Sequence, residues 1–183
     1  MDRGLDSRTI PLSRRKLLLA VGGVLLFVVA GVWLILKEDF SIHSRFYGYE
    51  WLAKTIGVVA ILWFGPMGLY LLWKLFDRRP GVVIEERGII DNGNATSVGL
   101  IAWGDIVGIA RQDGKKARIL LVMVRNPEEY IARGNRVQRY LMRSNMRWYG
   151  TPLSVSVASL GCSLDELEGW VKEGLGRWGG LAR

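Results

Sequence analysis

The sequence predicts an α+β membrane protein: a two-helix transmembrane hairpin carrying an antiparallel β domain with an inserted helix and a C-terminal capping helix. Three observations lead there. Two long apolar runs without charge lie before residue 77, short β-rich segments bounded by turn residues follow Pro80, and two helix-start signals stand at Asn126-Pro127 and Ser163. Half of the residues are hydrophobic, which alone fits either a globular domain or a small membrane protein. The uneven distribution of those residues decides between them.

Leu17 to Leu36 is an uncharged stretch that, at 1.5 Å per residue, reaches across the roughly 30 Å of a bilayer core. Thr55 to Trp73 is similar, with Trp51, Trp63, Tyr70 and Trp73 in or near it, residues that suit the headgroup level when they lie near the ends. A soluble protein would have to enclose both runs, and the rest of the chain is too small for that. The basic start Arg14-Arg15-Lys16 also resembles a signal peptide. However, the apolar stretch exceeds a usual signal core and continues through Trp33-Leu34-Ile35-Leu36 with no Ala-x-Ala site, so a retained anchor is expected.

These runs define three regions: a basic N-terminus over 1–16, a hairpin over 17–76 with a short outer loop over 37–54, and a domain over 80–183. Basic residues bias a helix end toward the cytoplasm. Arg3, Arg8, Arg14, Arg15 and Lys16 precede the first run, and Lys74, Arg78 and Arg79 close the second. The loop holds Lys37, Arg45 and Lys54 but also Glu38, Asp39 and Glu50. The reading is a multi-pass protein of the inner (cytoplasmic) membrane with both termini cytoplasmic. A single cysteine, Cys162, suits a domain in a reducing compartment, where the acceptor Asn94-Ala95-Thr96 would stay unglycosylated.

Small residues permit close helix approach in lipid. Gly23 and Gly31 are eight apart, as are Gly57 and Gly65. Counted from the cytoplasmic ends, Gly23 matches Gly65 at roughly 10 Å depth and Gly31 matches Gly57 at roughly 21 to 23 Å, so an antiparallel hairpin is expected to bring each pair together. Gly65-Pro66 is expected to kink the second helix.

Beyond Pro80, strands are expected at Val82 to Ile84, Gly88 to Asp91, Val98 to Trp103, Ile106 to Ala110 and Ala117 to Val124. Turns are expected at Asn92-Gly93-Asn94 and Asp113-Gly114-Lys115. Asn126-Pro127-Glu128-Glu129 combines a cap, a first-turn proline and acidic residues at the positive end of the dipole, predicting a helix toward Arg147. Leu153 to Ala158 alternates like a strand. Ser163 and Glu166 form a capping box ahead of the stripe Leu164, Leu167, Val171 and Leu175.

The phrases Gly88-Ile89-Ile90-Asp91-Asn92, Ile101-Ala102-Trp103-Gly104-Asp105-Ile106, Asn126-Pro127-Glu128-Glu129-Tyr130 and Gly150-Thr151-Pro152 resemble those of a family of small two-pass bacterial membrane proteins with a pleckstrin-homology-like (PH-like) cytoplasmic domain. The resemblance covers about residues 80–176. It implies a fold and a location and supplies no activity and no functional residues.

Catalytic constellations fail on topology. The only histidine, His43, lies in the outer loop, which removes a triad or a histidine-containing metal site from the domain. Cys162 precedes a helix start without a histidine partner and reads as a small buried hydrophobe. Asp91, Asp105 and Asp113 are separated by turns and strands, with no phosphate loop or metal motif; Asp105 is expected to fix a turn through the backbone. No cofactor or metal is expected.

Arg133, Arg136, Arg139, Arg143 and Arg147 run at spacings of three and four with no acid between them, within about 120° of one helical face. Val137, Tyr140, Leu141 and Trp148 lie along its flank. The domain over 81–183 has fourteen basic against eleven acidic residues, so this is a local concentration. Such a face is either solvated or meets an anionic partner: membrane lipids, an acidic membrane protein or, less fittingly, nucleic acid. The leading expectation is a non-enzymatic, membrane-anchored interaction or regulatory module. The rival classes are an enzyme or transport accessory acting on a lipid or nucleotide through carboxylates, and a membrane-tethered nucleic-acid contact.

Overall fold

The computed structural model describes residues 7–37, 48–114 and 118–179. The chain divides into two compact units, Arg14–Arg78 and the combination of Met1–Ser13 with Arg79–Arg183.

The first unit is a pair of helices, α1 (Arg14–Leu36) and α2 (Glu50–Phe76), about 35 and 40 Å long at 1.5 Å per residue. Both are long and apolar enough to cross a membrane. Each begins earlier than expected. The triplet Arg14-Arg15-Lys16 forms the first turn of α1, and Glu50 and Lys54 lie inside α2, which shortens the connecting segment. His43 and most of that segment lie outside the described residues. α2 continues as a helix through Pro66.

Leu17, Val21, Val24 and Gly31 are buried, with Val28 and Ile35 half-buried. Their spacing alternates four and three, the repeat of a left-handed helix pair. Phe27 of α1 stacks on Phe64 of α2 at 4.5 Å between ring centroids. The other faces are bare and apolar: Leu19, Leu26, Leu62 and Trp63 are each at least 69% exposed. At the end of α2, Lys74 pairs with Asp77 at 2.9 Å.

The second unit is built on two antiparallel sheets. Strands β1 (Arg8–Ile10), β2 (Val82–Glu85), β3 (Gly88–Asp91) and β4 (Gly99–Ala102) form the first, in that order. A 3-10 turn at Trp103–Asp105 leads to β5 (Ile106–Asp113), which joins β6 (Arg118–Val124) and β7 (Leu153–Ser156) in the second. Helices α3 (Pro127–Arg133) and α4 (Arg136–Tyr149) are inserted between β6 and β7, and α5 (Leu164–Trp178) follows.

Alternation along the strands places Val82, Ile84, Ile89, Ile101, Leu120, Val122, Leu153 and Val155 in one core. Leu164, Leu167, Val171 and Trp178 of α5 close it, with Leu175 partly buried beside them. The capping box at Ser163 and Glu166 forms as the sequence predicts, the Ser163 N–H donating to the Glu166 carboxylate at 2.8 Å. Gly88 permits the tight β2–β3 turn. Its φ is +152°, and a Cβ there would strike the Ile101 carbonyl oxygen. The turn after β3 is held by Asp91, whose carboxylate accepts from the Gly93 N–H at 2.8 Å and the Ser97 hydroxyl at 2.7 Å. Asn94 is engaged there too, donating to the Ser154 carbonyl at 2.6 Å.

Two elements depart from the sequence expectation. The segment read as a basic N-terminus contains β1, which pairs Arg8 with Ile84, Thr9 with Val83 and Ile10 with Val82. Ile10 is buried in the core, and the chain stays bound to the domain as far as Ser13. There Gly161 N–H donates to Pro11 O at 3.0 Å and Ser13 N–H to Ser159 O at 2.8 Å. The domain is therefore discontinuous in sequence, with the hairpin inserted between β1 and β2.

The second departure is that the helix expected from Asn126 to Arg147 is two helices. Gly134 ends α3, and Asn135 starts α4 with a capping box to Gln138, bonded both ways at 2.9 Å.

Because β1 completes the sheet, residues 79–183 alone are expected to be unstable. The fragment would lose Ile10, whose burial contributes about 1.5–3 kcal/mol, and would bare the edge of β2. A chain joining 7–13 to 79–183 through about six Gly/Ser residues is expected to be monomeric and to melt cooperatively. Size-exclusion chromatography and thermal melts of the two proteins compare them directly; equal stability would show that β1 is dispensable.

Candidate functional site

The five arginines expected on one face are divided by the break at Gly134. A Cβ on Gly134 would lie 2.9 Å from Gln138 Cβ, so the bend depends on a missing side chain. Arg133 belongs to α3 and is bound within its own domain. Its guanidinium donates to Leu100 O at 3.0 Å and to Glu129 Oε1 at 2.9 Å, and it stacks over the Tyr130 ring at 4.2 Å. The Glu129 bond raises its pKa. Arg139 turns back onto the end of α3, donating to Gly134 O at 2.7 Å and Ala132 O at 3.0 Å. It satisfies carbonyls that a helix end leaves open.

Arg136, Arg143 and Arg147 are different. All three are exposed, and among the described residues none has a hydrogen bond or ion pair. At 100° per residue they occupy an arc of about 40°. Tyr140 lies beside them, then Ser144, Val137 and Trp148, with Val137 67%, Tyr140 75% and Trp148 77% exposed. The opposite side of α4 holds the helix to the domain. Met142 is fully buried, Gln138 donates to Ser97 O at 3.0 Å, and Asn145 reaches Ser154 Oγ at 3.3 Å. Gly150, with φ +74°, ends α4 in the left-handed cap.

The acidic candidates are held in structural bonds. Asp105 accepts the Tyr130 hydroxyl at 2.6 Å, a correction to the expected backbone turn. That hydroxyl also accepts from the Ala102 N–H at 3.3 Å, so Tyr130 ties α3 to β4 and to the turn after it. Burial, reinforced by the Asp105 bond, pushes the Tyr130 pKa up to about 12. Asp113 pairs with Arg111 at 2.7 Å, a hydrogen bond that lowers its pKa; Arg111 also reaches Asp165 at 2.5 Å and Glu168 at 3.3 Å on α5. Cys162 is buried in the core.

Two concavities flank Trp178. One of about 130 Å³ is lined by Arg8, Trp170, Glu173 and Arg177; an open one of about 470 Å³ is lined by Glu86, Arg87, Leu100 and Trp103. Each has a single carboxylate and no nucleophile or histidine. Among the described residues, no group of three or more His, Cys, Asp or Glu side chains could hold a metal ion.

In the hairpin, the structure brings Gly31 and Gly57 together. A Cβ on Gly57 would lie 2.6 Å from Gly31 O and 2.9 Å from Ile35 Cγ1. The expected approach of Gly23 to Gly65 is not found, since a Cβ on either would meet nothing within 4 Å. Val24 takes that depth instead, facing Gly68, where an added Cβ would lie 3.1 Å from Val24 Cγ1. The reason is the period. A helix-pair seam repeats every seven residues, so glycines eight apart cannot both occupy it.

No protein-family model, curated protein or solved structure matches this chain.

Two outcomes follow from this geometry. Gly57→Val is expected to destabilise the hairpin by about 1–3 kcal/mol through overpacking, whereas Gly23→Val, facing open space, is expected to be near neutral. Thermal melts in detergent separate them, and equal effects would remove the Gly31–Gly57 contact from the account. For Tyr130, a pKa raised from 10.0 to about 12 means that the fold favours the protonated phenol. Its contribution is complete below pH 10 and falls as pH rises toward 12. Tyr130→Phe is expected to cost about 1–2 kcal/mol at neutral pH and to flatten the alkaline loss of stability. Denaturant titrations across pH 9–12 read both effects.

Proposed function

We propose that this protein is a non-enzymatic, membrane-anchored interaction or regulatory module of the bacterial cytoplasmic membrane. Its PH-like domain is held at the cytoplasmic leaflet by a hairpin that crosses the bilayer twice, and its relatives are the small two-pass proteins it resembles. The observation that carries this reading is the insertion of the hairpin between two paired strands. Chain leaves the domain after Ser13 and returns by Gly81, whose N–H donates to Ile10 O at 2.9 Å. Strands so paired cannot lie on opposite sides of a bilayer, which supports two crossings and a shared side for both termini. The bare apolar faces of α1 and α2 support lipid as their surroundings, since exposed patches of that extent are rare on soluble monomers.

Two antiparallel sheets closed by a C-terminal helix support the PH-like assignment. Engagement of Asp91, Asp105 and Asp113 in structural bonds favours an interaction module over carboxylate catalysis. The test is topological. A cysteine introduced at Ser41 is expected to react with an impermeant thiol reagent from outside intact cells, while a tag at either terminus stays protected until the membrane is opened. Labelling of Ser41→Cys only after permeabilisation would overturn the orientation.

A further inference from the structure

We propose that the exposed face of α4, formed by Arg136, Arg143 and Arg147 with Tyr140, Val137 and Trp148 beside them, docks onto the anionic surface of the bilayer that anchors the chain. The inference rests on the module reading above and names the partner of its domain.

Three observations carry it. First, the charge is uncompensated: α4 contains no acidic residue, and these three guanidiniums have no partner among the described residues, while Arg133 and Arg139 are committed to the domain. Like charges within an arc of about 40° repel one another, so an opposing anionic surface relieves a cost already present in the folded domain. Second, the apolar side chains stand next to the charges. Val137, Tyr140 and Trp148 are at least two-thirds exposed, and aromatic rings with a polar tip beside arginines match the depth profile of a headgroup layer. A duplex nucleic-acid backbone would satisfy the arginines but gives Val137 and Trp148 nothing to bury against, and a single strand would offer bases to Tyr140 and Trp148 but nothing apolar to Val137. Third, the chain joins the domain at two points to helices long and apolar enough to cross a membrane, so on the module reading the local lipid concentration is high and even a modest affinity orients the domain.

The helix is suited to the role because its domain-facing side is held by Met142, Gln138 and Asn145, which leaves the outer side chains free of structural duty. Docking would therefore need no refolding of α4. The arginines lie nearly in line along the helix, and the apolar residues follow on one flank, so the helix would lie flat with Trp148 and Val137 dipping below the arginines.

The experiment uses the full chain in nanodiscs. A polarity-sensitive fluorophore is placed at Ser144→Cys, between Tyr140 and Trp148 on the proposed face, in a Cys162→Ala background. A second protein carries the label at Lys172→Cys on α5. Discs contain phosphatidylcholine alone or with phosphatidylglycerol. A blue shift at position 144 in the anionic discs only, reversed by 0.5 M salt and absent at position 172, is the expected result. Replacing Arg136, Arg143 and Arg147 by glutamine is expected to lower the docked-to-free ratio roughly 100-fold, from three side chains at the usual attraction per charge near such a surface. Circular dichroism checks that each variant keeps its fold.

No shift in anionic discs, or a shift that survives the three glutamines in a folded protein, overturns the proposal. A response to added RNA or to an acidic polypeptide without one to anionic lipid overturns it in favour of that partner. Failure here with outside labelling of Ser41→Cys intact would leave the anchored module standing. Failure of that labelling would overturn the orientation assigned to the module, separately from the docking.

Discussion

The pairing of β1 with β2 is the constraint on which the architecture depends. Three residues before the first membrane-length helix are hydrogen-bonded to the strand that follows the second, in the register Arg8 to Ile84 and Ile10 to Val82. One short ladder thereby closes a loop of more than seventy residues, and a loop that long is tolerable because its closure entropy grows only with the logarithm of length. The hairpin also reduces that cost by its own structure, since the Gly31–Gly57 approach and the Phe27–Phe64 stack bind the two helices to each other. Burial of Ile10, the bond from Gly161 N–H to Pro11 O and that from Ser13 N–H to Ser159 O extend the clasp beyond the ladder. A chain arranged in this way completes its β domain only after the second helix has been made.

Charge is distributed with the same economy. Arg111 gathers Asp113, Asp165 and Glu168, which joins β5 to the start of α5 at the surface. Exposed pairs of this kind contribute little singly and act mainly by fixing geometry. Arg133 and Arg139 serve the junction between α3 and α4, one through Glu129 and Leu100, the other through the carbonyls of Ala132 and Gly134. Among arginines of closely similar spacing, the structure therefore separates two that hold the domain together from three that face outward. That separation turns a diffuse basic stripe into a surface with a defined polar row and apolar flank.

Much of the fold was legible because it follows from local chemistry. The uncharged runs of Leu17 to Leu36 and Thr55 to Trp73, the turn at Asn92-Gly93-Asn94 and the capping box of Ser163 with Glu166 each rest on neighbours in sequence, and each appears. The break at Gly134-Asn135 was readable in the same way. Asparagine followed three residues later by glutamine, after a glycine, is a cap pattern that the arginine periodicity overrode. β1 gave no such signal, because three residues, Arg8-Thr9-Ile10, have no periodicity of their own and become a strand only against β2. The partnership of Tyr130 with Asp105 was hidden for a related reason: it joins residues twenty-five apart through a buried hydroxyl.

The sequence by itself determined where apolar length suffices for a bilayer, where helices start, and that arginine is concentrated between 133 and 147, since composition and spacing fix these properties along the chain. Only the tertiary structure decided which glycines meet, which arginines are bound, and that the N-terminal segment belongs to the domain. Those outcomes depend on the rotational phase of one helix against another and on pairing across the long hairpin insertion. A one-residue change in phase turns a glycine by about 100°, from the seam to open space. Gly31 and Gly57 have the phase that meets, and Gly23 does not.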